Sequence, residues 1–273
     1  MFSETFNGIT IHRFGVLAGQ PGLLHGVSDR HGGASGGEYA SLNLGLHVGD
    51  RPERVLQNRR MLCRAAGIDP LRLAIGEQVH GGKVCVVSAD DAGRGAVEHA
   101  AALAGADGLV CAQPGLPLMA FSADCPLVIM FDSQARVLGL VHASWRSTAA
   151  GIVQAAAEAM SALGACPERL CAAIAPCVGK CCYEVGDDLI DSVLHSRIPD
   201  ADSYIGKRDG RTFFDVEGAV AGCLRAAGVA RGQIEIAGAC TACSCGRFYS
   251  YRSARGKTGR FAAFAQIATP RRL

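Results

Sequence analysis

No stretch of this 273-residue chain approaches the roughly 18 consecutive apolar residues that span a bilayer. Residues 1–10 lack the apolar core of a secretory signal. A soluble, cytoplasmic protein with no membrane partner is therefore expected. A dominant charge is missing as well. The 27 basic and 25 acidic side chains leave a formal charge of +2, too little to draw a polyanion, so no nucleic-acid partner is expected. Dense basic pairs occur only at Arg59-Arg60 and Arg271-Arg272, both read as solvated surface. The glycine-rich stretch 31–37 lacks the GxxxxGK[ST] spacing of a phosphate-cradling P-loop, which excludes that nucleotide site. There is no internal repeat and no linker.

What remains is a folded chain with an unusual amount of sulfur. Hydrophobic residues make up 49% and charged residues 19%, which excludes disorder. The 13 cysteines are an odd number in a chain too long to need a disulfide framework, so most are expected to be reduced thiols and several to be small core residues. Three of them, Cys177, Cys181 and Cys182, together with Cys240, Cys243 and Cys245, raise a second metal cluster or a disulfide relay. A lone CxxC spacing carries little weight for either.

Apolar runs and breakers predict strands around residues 9–14, 83–87, 121–131 with a break at Pro126, 136–141, 170–175, 233–237 and 248–251. Helices are predicted over 50–66 with Gly67 as stop, 147–163 with Ser147 or Thr148 as N-cap, 186–195, 214–227 behind Asp215, and 260–267. Strands and helices alternate without a regular βαβ period. The expected class is α+β, mixed sheets covered by helices, in one layered domain spanning residues 1–273. The glycine loop at 31–37 reads equally as a mobile surface loop or as a lid.

Chemistry concentrates at strand ends. Phe121-Ser122-Ala123-Asp124-Cys125-Pro126 sets a carboxylate beside a thiol at a chain break, His80 follows Gln78 before one strand, and His142 closes another. Spacing alone leaves His80, Cys125 and His142 open between buried core residues and one shared ion. If they converge, two imidazoles and a thiolate suit zinc, and three protein ligands leave a fourth position for water or substrate. Soft donors of this kind also accept copper in vitro. Asp124 is either a proton-transfer group or a turn carboxylate. Ser144, Arg146, Ser147 and Thr148 crowd a helix start, which reads as ordinary capping or as a phosphate site.

Seven stretches in order, HGVSDRHGGASGGEYASLNLGLHVGD, EQVHGGKV, ADGLV, SADCPLVIMFD, LVHASWRSTAAGI, APCVGKCCYEVGDDL and RFYSYRSARGKTGR, resemble the YfiH-type laccase-domain proteins along nearly the whole chain. That family was once labelled multicopper polyphenol oxidases and later described as purine nucleoside phosphorylases. The resemblance implies the YfiH-type architecture and zinc on His80, Cys125 and His142. It implies phosphorolysis of adenosine, inosine, guanosine and S-methyl-5'-thioadenosine with phosphate as partner, together with adenosine deamination. Catalysis falls on those three residues with Asp124, phosphate on Arg146, and further substrate contacts on Asn43 and Gln78. The family's usual HAGWRG appears here as HASWRS, so Ser144 and Ser147 are expected either to weaken phosphate contact or to add hydroxyl donors. Eight histidines without a His-x-His pair argue against laccase chemistry. Two other readings stand beside this one. One is a cysteine hydrolase with Cys125 as nucleophile and His142 as base, suited to amide editing of a cell-wall precursor. The other is a non-catalytic zinc or redox binding protein.

Overall fold

The computed structural model describes residues 1–269, so the predicted basic pair Arg271-Arg272 lies outside the described residues. Two six-stranded sheets face one another. The first runs, in spatial order, Phe2–Phe6, Ile9–Arg13, Leu23–Ser28, Phe261–Ile267, Leu118–Ser122 and Ala74–Ile75. The second runs Ile234–Ile236, Cys171–Ile174, Leu127–Asp132, Val137–His142, Gly108–Cys111 and Val84–Val86. Inner pairings are antiparallel, while the short edge strands Ala74–Ile75, Ile234–Ile236 and Val84–Val86 pair in parallel. This is the mixed α+β architecture expected.

Alternation along the central strands explains the layering. In Leu118–Ser122, Leu118 and Ala120 enter the core between the sheets, while Met119 and Phe121 point to the opposite face. In Leu127–Asp132, Leu127, Ile129 and Phe131 enter the same inter-sheet core, and Val128 and Met130 face outward. Both outer faces are covered. Helix Pro52–Ala66 lays Leu62 and Cys63 on the first sheet, and helices Ile152–Ala162 and Val216–Ala226 lay Ile152, Val153, Ala219 and Val220 on the second. Strands buried on both faces read as continuous apolar runs. That is why the period-2 signal is weak here.

The helix predicted over 260–267 is instead the central strand Phe261–Ile267, paired on both sides. Phe261 and Phe264 sit at helical spacing, but they serve opposite faces of a strand whose small alanines let two layers close on it. Residues 248–251 form no strand, although Phe248 and Tyr249 are fully buried. The helix expected over 147–163 is two, Trp145–Ala149 and Ile152–Ala162, separated by Gly151 at φ 84°. The cap is Ser144, whose hydroxyl accepts from the Ser147 amide. Helix Pro52–Ala66 starts on a proline and stops at Gly67, φ 72°, much as predicted.

Two surface expectations are corrected. Arg59 is 3% exposed and donates to the carbonyls of Leu44, Gly95 and Ala96; Arg60 is exposed. The glycine loop is a packed element rather than a mobile one. A Cβ on Gly33 would sit 2.2 Å from the Ser41 carbonyl oxygen. Asn58 binds the loop from beneath, accepting from Ala34 N and donating to Ser35 Oγ. The loop does not line the cavity described next.

Candidate metal centre and active site

The chain crosses from one sheet to the other between Ser122 and Leu127, and the site forms at that crossing. Asp124 takes φ 105°, Ser122 Oγ donates to the Cys125 carbonyl at 2.6 Å, and Leu127 stands opposite His142 in the antiparallel ladder. The register alone therefore brings His142 beside Cys125. The turn carrying His80 is fastened to the same place by Gln78, whose amide donates to the Phe121 carbonyl at 2.7 Å and accepts from the Phe121 N–H at 2.9 Å. Gln78 and His80 both have left-handed φ, 58° and 62°. Such backbone in non-glycine residues costs on the order of 1–2 kcal/mol each, so three such residues around one cavity mark a site that the surrounding contacts enforce.

Asp107 is the hub. Its Oδ1 accepts from His142 Nδ1 at 2.8 Å and from the His80 amide at 3.0 Å, and its Oδ2 accepts from the amides of Val79 and Gly81. Its carbonyl also accepts from His142 N at 2.7 Å. One buried carboxylate thus orients both histidine-bearing segments. It fixes the proton of His142 on Nδ1 and leaves the lone pair of Nε2, on the side of Cys125, free to ligate. The two imidazoles meet edge to face with centroids 5.0 Å apart. The donor atoms of His80, Cys125 and His142 all lie within 4.8 Å of one another.

The electrostatics follow. Burial opposes ionisation of both Cys125 and His142, but each favours the other's charge, so the Cys125 thiol is held below its usual range and the His142 imidazole above it, with Asp107 adding to the latter. Two imidazoles and a thiolate, one imidazole braced by a carboxylate, are the donor set and supporting shell of a zinc-class ion with an open position. The residues fit the metal that the resemblance implies.

A cavity of about 520 Å3 opens in front of these donors, within the range of small-molecule sites. Arg146, Arg252 and Arg260 line it, and so do Phe121, Trp145, Tyr183 and Tyr251. Arg146 stacks on Trp145 with its guanidinium carbon 4.4 Å from the ring centre, and Arg252 lies over Tyr183. The one carboxylate in the lining, Asp124, is already engaged: Thr241 Oγ1 donates to one oxygen and the Arg252 amide to the other, each at 2.6 Å. The wall is consequently cationic and aromatic, suited to an anion beside a flat ring.

Several expected residues take different places. Asn43 is fully buried and outside the lining. It accepts from Arg260 N at 2.9 Å, so it reaches the cavity only by holding Arg260. Gln78 does line the cavity, with its amide committed to the Phe121 peptide. The Ser144 and Ser147 hydroxyls are buried and bond each other at 2.5 Å, while Thr148 Oγ1 donates to the Ser144 carbonyl. With its hydroxyls turned inward and only one turn of helix behind them, this helix start is no anion cradle, and Arg146 is the exposed cation it presents to the cavity. Sequence reasoning missed Asp107, Arg252 and Arg260. The aspartate directly before the Gly108–Cys111 strand was the visible signal for the first, and the basic loop at 252–259 for Arg252, with Arg260 directly after it.

The fold and the His-Cys-His cluster define a class of layered α+β proteins with a candidate metal centre at the sheet crossing. Residues 24–268 match the family described as multi-copper polyphenol oxidoreductase laccase, and the chain belongs to that family. It is 37% identical over 245 residues, 89% of each chain, to the purine nucleoside phosphorylase YlmD of Geobacillus stearothermophilus. The crystal structure of that organism's YlmD superposes with a TM-score of 0.91 at 34% identity, covering 98% of this chain and 99% of that one. An adenosine deaminase, RL5, from an unknown prokaryotic organism is 32% identical over 81% of this chain and 85% of its own. Its relatives thus carry enzyme names. Among the described residues no helix is long and apolar enough to cross a membrane.

Proposed function

We propose that the chain is a zinc-dependent purine nucleoside phosphorylase, acting on adenosine, inosine, guanosine and S-methyl-5'-thioadenosine, with adenosine deaminase activity at the same site. The observation that carries the reading is the convergence of His80, Cys125 and His142 on a cavity walled by arginines and aromatic rings. Zinc held by these three donors supplies Lewis-acid activation at its open position. The protein's own groups do the rest. Arg146 holds phosphate against the sugar, with Arg252 and Arg260 adding positive charge. The aromatic wall holds the purine. In phosphorolysis a phosphate oxygen forms the new bond to C1' as the C1'–N9 bond breaks. The bonding pair leaves on N9, which takes up the proton that dihydrogen phosphate gives up, and the guanidiniums neutralise the sugar phosphate produced. Asp107 keeps His142 in the tautomer that presents Nε2. Asp124 is assigned to holding the Thr241 and Arg252 segments in place rather than to proton transfer, since both its oxygens already accept.

The test is turnover of adenosine and inosine by metal-assayed protein with and without phosphate. Free adenine or hypoxanthine appearing only with phosphate, and lost in Cys125→Ala, supports phosphorolysis; inosine formed from adenosine supports deamination. Neither product from zinc-replete protein overturns the reading.

A second reading has its own observation. Cys125, His142 and Asp107 stand in the order nucleophile, base and orienting carboxylate, the arrangement of a cysteine hydrolase acting on an amide. Alkylation separates the two. A nucleophilic Cys125 reacts fastest in metal-free protein that remains active, whereas a ligand thiolate is protected by zinc and its alkylation abolishes activity and metal binding together.

A further inference from the structure

We infer that Cys181, Cys182, Cys240 and Cys243 form a second metal site, an all-thiolate structural site for a zinc-class divalent cation, separate from the His-Cys-His centre. Although 57 residues separate the two pairs in sequence, the fold brings all four sulfurs within 4.8 Å of one another. Cys182 Sγ lies 3.4 Å and Cys181 Sγ 3.6 Å from Cys243 Sγ. A tetrahedron with zinc–sulfur arms of about 2.3 Å has edges of roughly 3.8 Å, so the thiols stand close to coordination distance from a common centre. Disulfide pairing does not describe this arrangement, because Cys243 is near two partners at once and Cys181 and Cys182 are chain neighbours.

The backbone is arranged for sulfur ligands. The Gly179 N–H donates to Cys240 Sγ at 3.2 Å, and the Cys243 amide faces the same sulfur. Cys240 and Cys243 have the two-residue spacing of one arm of a zinc ribbon. Gly179 packs closely on the cluster: a Cβ there would lie 3.2 Å from the Cys240 Cβ and 3.3 Å from Cys181 Sγ, tight enough to displace the thiols by a few tenths of an ångström. Binding releases the thiol protons to solvent, leaving a net charge of about −2 on a tetrathiolate site holding a divalent ion. Cationic neighbours offset it: Arg208 donates to the Cys181 carbonyl at 3.0 Å, and Lys180 precedes that residue.

The site would clip together the segment that lines the cavity with Val178 and Tyr183 and the segment that holds Asp124 from behind. Val178 N donates to the Asp124 carbonyl, and Thr241 Oγ1 donates to its carboxylate. A metal here therefore stiffens the strained turn carrying Asp124 and Cys125 without touching substrate.

The experiment counts metal in the full chain purified with zinc and reductant, beside Cys125→Ala and the double variant Cys240→Ser/Cys243→Ser. Two equivalents per chain are expected in the parent and one in each variant. X-ray absorption of the Cys125→Ala protein should show a sulfur-only shell near 2.3 Å. Should the double variant fail to fold, alkylation of the parent decides. Cys181 and Cys243 are exposed, so they should react slowly with zinc bound and rapidly after chelation. A single equivalent lost wholly in Cys125→Ala, nitrogen or oxygen ligands in the remaining site, rapid alkylation of Cys181 and Cys243 in zinc-replete protein, or a Cys182–Cys243 disulfide in it, would each overturn the assignment.

Discussion

Replacing Asp107 by Asn removes one charge while conserving size, and the geometry specifies the damage. Both carboxylate oxygens face N–H donors: Oδ1 faces His142 Nδ1 and the His80 amide, and Oδ2 faces the amides of Val79 and Gly81. An asparagine must turn its NH2 toward one of these pairs. Turned toward Val79 and Gly81, it repels two amides and loosens the His80 turn. Turned toward His142, it is satisfied only if the imidazole moves its proton to Nε2, which is then unable to ligate. Either orientation weakens metal binding. Supporting partners of this kind are worth about 10–100-fold in affinity, or roughly 1.4–2.7 kcal/mol. The turn amides are partly solvated, so the cost to folding should be nearer 1 kcal/mol. Chelator competition at equilibrium measures the first quantity and urea unfolding of metal-free protein the second. Unchanged zinc affinity in Asp107→Asn would refute the argument that Asp107 governs the tautomer and placement of the donors.

Other expectations follow from the same contacts. Arg146→Ala should raise the KM for phosphate about 10–100-fold, the worth of charge-assisted bonds to an anion, with little change for the nucleoside; initial rates at varied phosphate check it. His12 and His25 are buried, burial lowering each to about 4 from 6.5, with Arg247 acting on the former and Arg13 on the latter. Their folded values lie below the unfolded ones, so the stability they protect is complete above pH 6.5 and is lost as pH falls toward 4. That loss is up to about 3 kcal/mol each, and urea unfolding at pH 7 and 4.5 should show it, with a shallower pH slope in His25→Asn. Gly33→Ala should cost about 1–3 kcal/mol, because its Cβ would meet the Ser41 carbonyl at 2.2 Å and Leu42 Cα at 2.5 Å; a lowered thermal midpoint would register it.

How much of this was legible in the sequence depended on whether the signal was local. Pro52, Gly67 and the apolar stripe of the first long helix state their own limits, and the break at Asp124-Cys125-Pro126 announces a crossing. The strand Phe261–Ile267 was hidden because burial on both faces removes the alternation that marks a strand, and its alanines resemble helix. The candidate metal ligands were visible as residue types at strand ends, but their meeting depends on the Leu127–His142 register and on Asp107, neither of which spacing reveals. Asn43, Ser144 and Ser147 misled for a related reason. Their polar groups are satisfied inside the protein, Asn43 on Arg260 and the serines on each other. The four-thiol cluster was discounted because its two halves come from distant loops, and only the fold unites them.

The central claim is that, with a metal on His80, Cys125 and His142, phosphate acts as the nucleophile that cleaves purine nucleosides. Its most direct test follows the phosphorus signal of a phosphate and inosine reaction as zinc is stripped from the protein and returned, alongside Cys125→Ala. A sugar 1-phosphate resonance that appears with zinc, disappears on stripping, returns on reloading and is absent from the variant is the predicted result. Sugar phosphate formed equally well by stripped protein or by Cys125→Ala, or none formed by zinc-replete protein, would contradict it.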